Sequence, residues 1–281
     1  MRQRICKPPY ARATHTKARL FAVAQSAILI KGETGVLELN QPAKRVVVLE
    51  CSFLDTLIAL GVKPVGAAIG TQAGDRGAPP YIRGSLGGIT EISSRAAPNF
   101  EVTLKLKPDV IVADSFVHKT LEAHFKQIAP TLMLNSKRGS YDDLMQQTID
   151  LGKLVGRESL ARRLVSEQQR LIAKSRAFAI PTAPAFVAAV ATPTSVTLHS
   201  SIGSLLERLG RKSAVKPQGD LSQFEISLEG LVALNPATLV LFTGRVERIG
   251  NIQTLGSTNG RMLEYAQFAL TDFSAELRTD S

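Results

Sequence analysis

The chain has 281 residues, 44% of them hydrophobic and 21% charged, with a formal net charge of +10 and two cysteines. That length and apolar content can bury one large core or two smaller ones, which excludes disorder as the default state, and Cys6 and Cys51 are too few for a disulfide framework. Residues 1–26 carry six positive charges, Arg2, Arg4, Lys7, Arg12, Lys17 and Arg19, and no acidic residue, without the repeated aromatic interleaving of a nucleic-acid surface, so they are read as a solvated basic arm and no nucleic-acid partner is expected.

Leu20 to Ile30 is broken by Gln25 and Ser26, so no clear export signal is read there. No run reaches the roughly 20 apolar residues of a membrane span. Ala27–Lys31 and Val36–Leu39 flank Gly32-Glu33-Thr34-Gly35, the pattern of a short hairpin. Arg45 to Glu50, RVVVLE, is a continuous apolar run of the kind buried on both faces of a parallel sheet, and Ser52 to Leu60 follows at helical spacing until Gly61. Strands at Pro64–Ala68 and Val110–Ala113 and helices at Phe100–Leu106 and Leu121–Ile128 continue the alternation, which implies a parallel α/β sheet over residues 27–140. Residues 141–180 are helical, broken at Gly156. After Pro181 and Pro184, strands at Ala185–Val190, Val196–His199 and Thr238–Phe242 define a second α/β lobe, residues 181–281.

The two halves repeat one another. Glu101 stands seven residues before Pro108 with Leu106 between them, and Glu229 stands seven before Pro236 with Leu234 in the equivalent place. Ser52 lies nine residues before Gly61 in a Leu-Gly ending, and Ser201 nine before Gly210 in another. One unit built twice implies a cleft between two lobes.

The stretches RVVVLECSFLDTLIALGVKPVG (45–66), SSRAAPNFEVTLKLKPDVIVADSFVHK (93–119), IAPTLML (128–134), SIGSLLERLG (201–210) and FEISLEGLVALNPATLVLFT (224–243) resemble the periplasmic binding proteins of iron-siderophore ABC importers, of the ferric citrate type above all, over roughly residues 36–245. The resemblance implies two α/β lobes with parallel sheets joined by one long interlobe helix, at about 157–178. It also implies a periplasmic or cell-envelope location, a ferric siderophore as transported ligand with no resident cofactor, and ABC permease subunits as partners of a monomer. The family's Trp-rich last helix, strand and helix find no counterpart in the polar stretch 251–281, so an incomplete second lobe is the alternative expectation.

Ligands of open parallel sheets bind outside the carboxyl ends of the strands, where helix N-termini offer N–H donors. An anionic ferric chelate calls for Arg and Tyr donors there rather than direct metal ligation. The expected ligand-binding residues are Arg95, which the resemblance places in a cleft-lining loop, with His118, Tyr141 and Arg245, and the neutral donors Ser52, Ser115 and Ser201. The three serines are more simply read as helix caps, and the arginines are also readable as solvated loop residues, Arg245 above all. His118 and His199 lack a second ligand at metal-binding spacing. Glu101 and Glu229 match the pair, one per lobe, that the resembled family docks into its permease; each alone reads as a first-turn carboxylate favoured by the helix dipole. No G-x-G-x-x-G, P-loop, H-E-x-x-H or G-x-S-x-G pattern supports an enzyme. An α/β enzyme of unknown reaction and a degenerate binder of little affinity are the competing readings.

Overall fold

The computed structural model of the chain describes residues 27–71, 77–136, 139–177, 185–191, 196–215, 223–226 and 238–242. It enters as an antiparallel hairpin, β1 (Ile28–Gly32) and β2 (Gly35–Leu39). The apolar run that follows becomes β3 (Val46–Val48), and the helical spacing after it becomes α1 (Cys51–Ala59). Two short strands, β4 (Gly66–Ala67) and β5 (Thr90–Glu91), precede α2 (Phe100–Lys105), β6 (Val110–Asp114), α3 (Ser115–His118), α4 (Glu122–Ile128) and β7 (Thr131–Leu134).

These strands form a parallel sheet in the order β5-β4-β3-β6-β7. Numbered along the chain within the sheet, that is 3-2-1-4-5, so the strand order reverses between β3 and β6. The reason for the unbroken apolar runs is visible in the pleat, because successive side chains point to opposite faces and both faces are covered. Val46, Val48, Val110, Val112, Leu132 and Leu134 pack with Leu54 and Leu57 of α1 on one face. Val47, Leu49, Ile111, Ala113 and Met133 pack with Phe125 of α4 on the other. Each such aliphatic side chain, fully buried, contributes about 1.5–3 kcal/mol of transfer free energy.

Two helices follow, α5 (Tyr141–Leu154) and α6 (Glu158–Arg176). Ser140 and Asp143 form a capping box that starts α5, and Gly156 separates the pair. A side chain at Gly152 would bring a Cβ within 2.5 Å of Ala161 Cβ, so glycine there allows the two helices to approach closely. The expected interlobe helix at 157–178 is α6.

The second sheet contains β8 (Phe186–Ala191), β9 (Val196–His199), β10 (Gln223–Ile226) and β11 (Thr238–Phe242), with α7 (Ser200–Arg208) after β9. Its order is β10-β9-β8-β11, and only β8 and β11 run parallel. The expectation of parallel sheets therefore holds for the first lobe, whereas the described part of the second sheet is mixed. Four residues separate β8 from β9, and so short a connection can only reverse the chain.

The internal repeat is reproduced at hydrogen-bond level. After α1, Gly61 N–H donates to Ile58 O and Val62 N–H to Leu57 O; after α7, Gly210 N–H donates to Glu207 O and Arg211 N–H to Leu206 O. Both glycines adopt positive φ, +69° and +91°, the left-handed terminator of a Schellman motif.

Candidate functional site

The switch between β3 and β6 is where an open α/β sheet leaves a crevice at the carboxyl ends of its strands. Glu50 follows β3 there and Asp114 ends β6. Glu50 is the N-cap of α1, with Oε1 accepting from Cys51 N–H at 3.1 Å. Its Oε2 meets Arg95 Nη1 at 2.9 Å, the Glu50 side chain 10% exposed and that of Arg95 30%. Burial, the largest influence, pushes the Glu50 carboxyl above its ordinary value of 4.5; the Arg95 charge and hydrogen bond oppose it, and the Asp114 charge adds to it.

Asp114 is fully buried. Its Oδ1 caps α3 by accepting from Phe116 N–H at 2.5 Å and Val117 N–H at 3.1 Å. Its Oδ2 accepts from Ser136 N–H at 3.3 Å and from the Ser136 hydroxyl. Asp114 N–H in turn donates to His118 Nδ1 at 3.0 Å, which places the His118 ring proton on Nε2, 2.8 Å from Arg95 O. A buried chain of hydrogen bonds thus runs from Ser136 through Asp114 and His118 to the backbone of Arg95, whose guanidinium returns to Glu50.

This geometry sorts the residues expected from the sequence. Arg95 and Ser52 lie at the switch point, Arg95 paired to Glu50 and Ser52 in the first turn of α1. The Ser52 hydroxyl is buried with no hydrogen-bond partner among the described residues. Ser115 is half-buried in the first turn of α3. Neither serine is a cap, because the carboxylates of Glu50 and Asp114 hold those positions. His118, expected to face a ligand, is fully buried with both ring nitrogens engaged inside the protein, so it positions the Arg95 loop instead.

Tyr141, also expected to face a ligand, is 1% exposed and packs with Met145, Val165 and Leu205 where α5 meets α7. Its N–H donates to Ser204 Oγ at 2.7 Å, and the Arg208 guanidinium lies 5.5 Å from its ring centre. Burial pushes the Tyr141 phenol up to about 12. Neither His118 nor Tyr141 presents a polar atom to solvent, which corrects their reading as ligand donors in this structure. Ser201 is placed by its backbone in the first turn of α7, equivalent to Ser52 in the repeat. Glu101 is exposed in the first turn of α2. Arg245 and Glu229 lie outside the described residues.

The sequence reading missed Glu50 and Asp114 as organisers. The available signal was an acidic residue closing each of two apolar strand runs, with Asp114 and His118 spaced by one helical turn. Among the described residues, no group of three or more His, Cys, Asp or Glu side chains gathers to hold a metal ion.

A family model for periplasmic binding proteins matches residues 46–263, and the chain belongs to that family. The match runs past residue 245, where the sequence resemblance was expected to stop. The chain is 34% identical over 218 residues to the Fe(3+)-citrate-binding protein YfmC of Bacillus subtilis (strain 168), covering 76% of this chain and 67% of the relative. It is 33% identical over 227 residues to the Fe(3+) dicitrate-binding periplasmic protein FecB of Escherichia coli (strain K12), covering 79% and 74%. Among solved structures, Staphylococcus aureus SirA complexed with staphyloferrin B shares the fold with a TM-score of 0.64 at 24% identity, over 79% of this chain and 78% of SirA. No helix of the described residues is long and apolar enough to cross a membrane.

Proposed function

We propose that the chain is the substrate-binding component of an ABC importer, which captures an anionic ferric siderophore of the ferric citrate type and delivers it to a membrane permease. The observation that carries this reading is Arg95, a guanidinium held at the switch point by a buried relay and still in reach of solvent. A permanently charged planar donor suits the carboxylates of a ferric hydroxycarboxylate chelate, and the curated relatives with ferric citrate in their names support that choice of class. The iron would arrive inside its own chelator as cargo. Ser52, Ser115 and Ser201, at the starts of their helices, would add neutral donors around it, with Arg245 facing the ligand from the second lobe.

Glu101 supports a docking role because it stands exposed beside a half-exposed Leu104, on the side of α2 that the core does not use. Glu229 takes its place in the other repeat, so the two acids would meet the paired permease subunits. A periplasmic or cell-envelope location and a monomeric, non-catalytic protein complete the proposal.

The test is a thermal melt with ferric citrate, a ferric hydroxamate and haem, repeated with Arg95→Ala. Ferric citrate at a hundredfold excess over Kd is expected to raise Tm by about 5 °C or more, a shift lost in the variant. A shift with haem alone, or one that survives in Arg95→Ala, would sink the assignment.

A further inference from the structure

We propose that Glu50 is a specificity-determining residue: its carboxylate holds Arg95 in the empty protein and must be displaced by the negative charge a ligand brings. The inference rests on the proposed binding role and deepens it. Three observations carry it. First, Glu50 contacts the same guanidinium that a ligand carboxylate would use, at 2.9 Å. Second, both partners are held in place from behind. Glu50 Oε1 is tied to Cys51 N–H at the head of α1, and the Arg95 backbone is tied to His118 Nε2, so the pair is built into the framework and did not arise from two loose side chains meeting. Third, both side chains keep contact with solvent, 10% and 30%, so a ligand can enter between them.

The charge around the pair decides its consequence. Asp114 adds to the negative potential at Glu50, and burial already disfavours the Glu50 charge. A strongly anionic chelate arriving at Arg95 meets Glu50 as a like charge in a poorly solvated place, which weakens binding. A cationic chelate meets the same carboxylate as a counter-charge. Glu50 therefore filters ligands by charge: it sets how anionic a chelate must be to win Arg95, and removing its charge shifts the protein toward anionic ligands.

The experiment compares the full chain with Glu50→Gln, by calorimetric titration with ferric citrate and with the cationic ferric complex of desferrioxamine B. Glutamine keeps an oxygen for Cys51 N–H and removes only the charge. Glu50→Ser, which caps helices well and carries no charge, replaces it if the glutamine variant does not fold. Glu50→Gln is expected to bind ferric citrate about tenfold more tightly and the desferrioxamine complex no more tightly than the parent protein. Equal or weaker ferric citrate binding in the variant, with the parent protein binding normally, overturns the role of Glu50 and leaves the importer reading standing. Binding by the variant alone supports the role of Glu50 and sinks ferric citrate as the parent's ligand. Absence of binding in both overturns both.

Discussion

At the carboxyl edge of the first sheet, the buried Asp114 carboxylate accepts from four donors, while at the contact of α5 with α7 the buried Tyr141 hydroxyl has no partner among the described residues. The first place builds a connected relay, in which each buried polar group orients the next and the last fixes the Arg95 loop. The second relies on apolar packing, one backbone hydrogen bond to Ser204 and an exposed ion pair between Arg208 and Asp142. Buried polar networks are rigid when complete and costly when broken, whereas exposed pairs contribute little either way. The contrast implies that the carboxyl edge of the first sheet is held in one arrangement, while the contact between α5 and α7 tolerates change.

Asp114→Ala should break the comparison most severely. It removes the cap of α3 and leaves Phe116, Val117 and Ser136 N–H groups without their acceptor, at a cost of about 3 kcal/mol read from urea denaturation. A loss below about 1 kcal/mol would mean that water or a neighbour replaces the carboxylate, and the relay would not be the source of rigidity. His118→Ala comes next, at about 2 kcal/mol, because it leaves Asp114 N–H and Arg95 O unpaired beside Phe125. Its distinguishing readout is hydrogen exchange: amides around Arg95 should lose protection while those of α6 keep theirs. Equal loss in both places would reduce His118 to a general core residue.

The same contrast explains what the sequence alone discloses. RVVVLE reads as a strand because both faces of β3 are covered, and the paired Leu-Gly endings identify α1 and α7 because glycine readily takes the left-handed conformation that closes a helix. β4 falls inside the strand expected at Pro64–Ala68, whereas β5 has two residues, too few for a period, and β10 alternates polar and apolar residues over four positions only, the lower limit of a strand signal. Arg95 stands out in a loop, but its partner Glu50 is 45 residues away, and only the return of the segment after β5 across the sheet edge, where His118 holds the Arg95 carbonyl, brings them together. His118 reads as a ligand donor from its place after β6. Its burial depends on the turn of α3 folding the ring back over the strand end, which no local pattern reports.

A pH series on Glu50→Gln sharpens the picture of the carboxyl edge. Because burial raises the Glu50 carboxyl above 4.5, the folded protein holds this proton where the unfolded chain has lost it. The stability tied to Glu50 is therefore complete below about pH 4.5 and is lost as pH rises through the raised folded value. Glutamine carries no such dependence. The variant should match the parent protein in acid and exceed it increasingly toward neutral pH, as measured by urea midpoints at each pH. Asp150, also raised chiefly by burial, is common to both proteins and cancels in the difference. A difference that is flat, or that favours the parent at neutral pH, would mean that Arg95 more than offsets the cost of burying the charge.

Tyr141→Phe should have the smallest effect, and its sign carries the information. Truncating a hydrogen-bonded buried tyrosine usually costs about 1 kcal/mol, whereas removing a hydroxyl that has no partner is close to neutral or stabilising. The phenylalanine ring keeps its packing against Met145 and Val165 and still offers a face to Arg208. A change within about 0.5 kcal/mol, or a gain, is expected in urea denaturation. A loss of more than about 1 kcal/mol would show that the hydroxyl is satisfied after all, and the contact between α5 and α7 would then be as fully specified as the relay at the carboxyl edge of the first sheet.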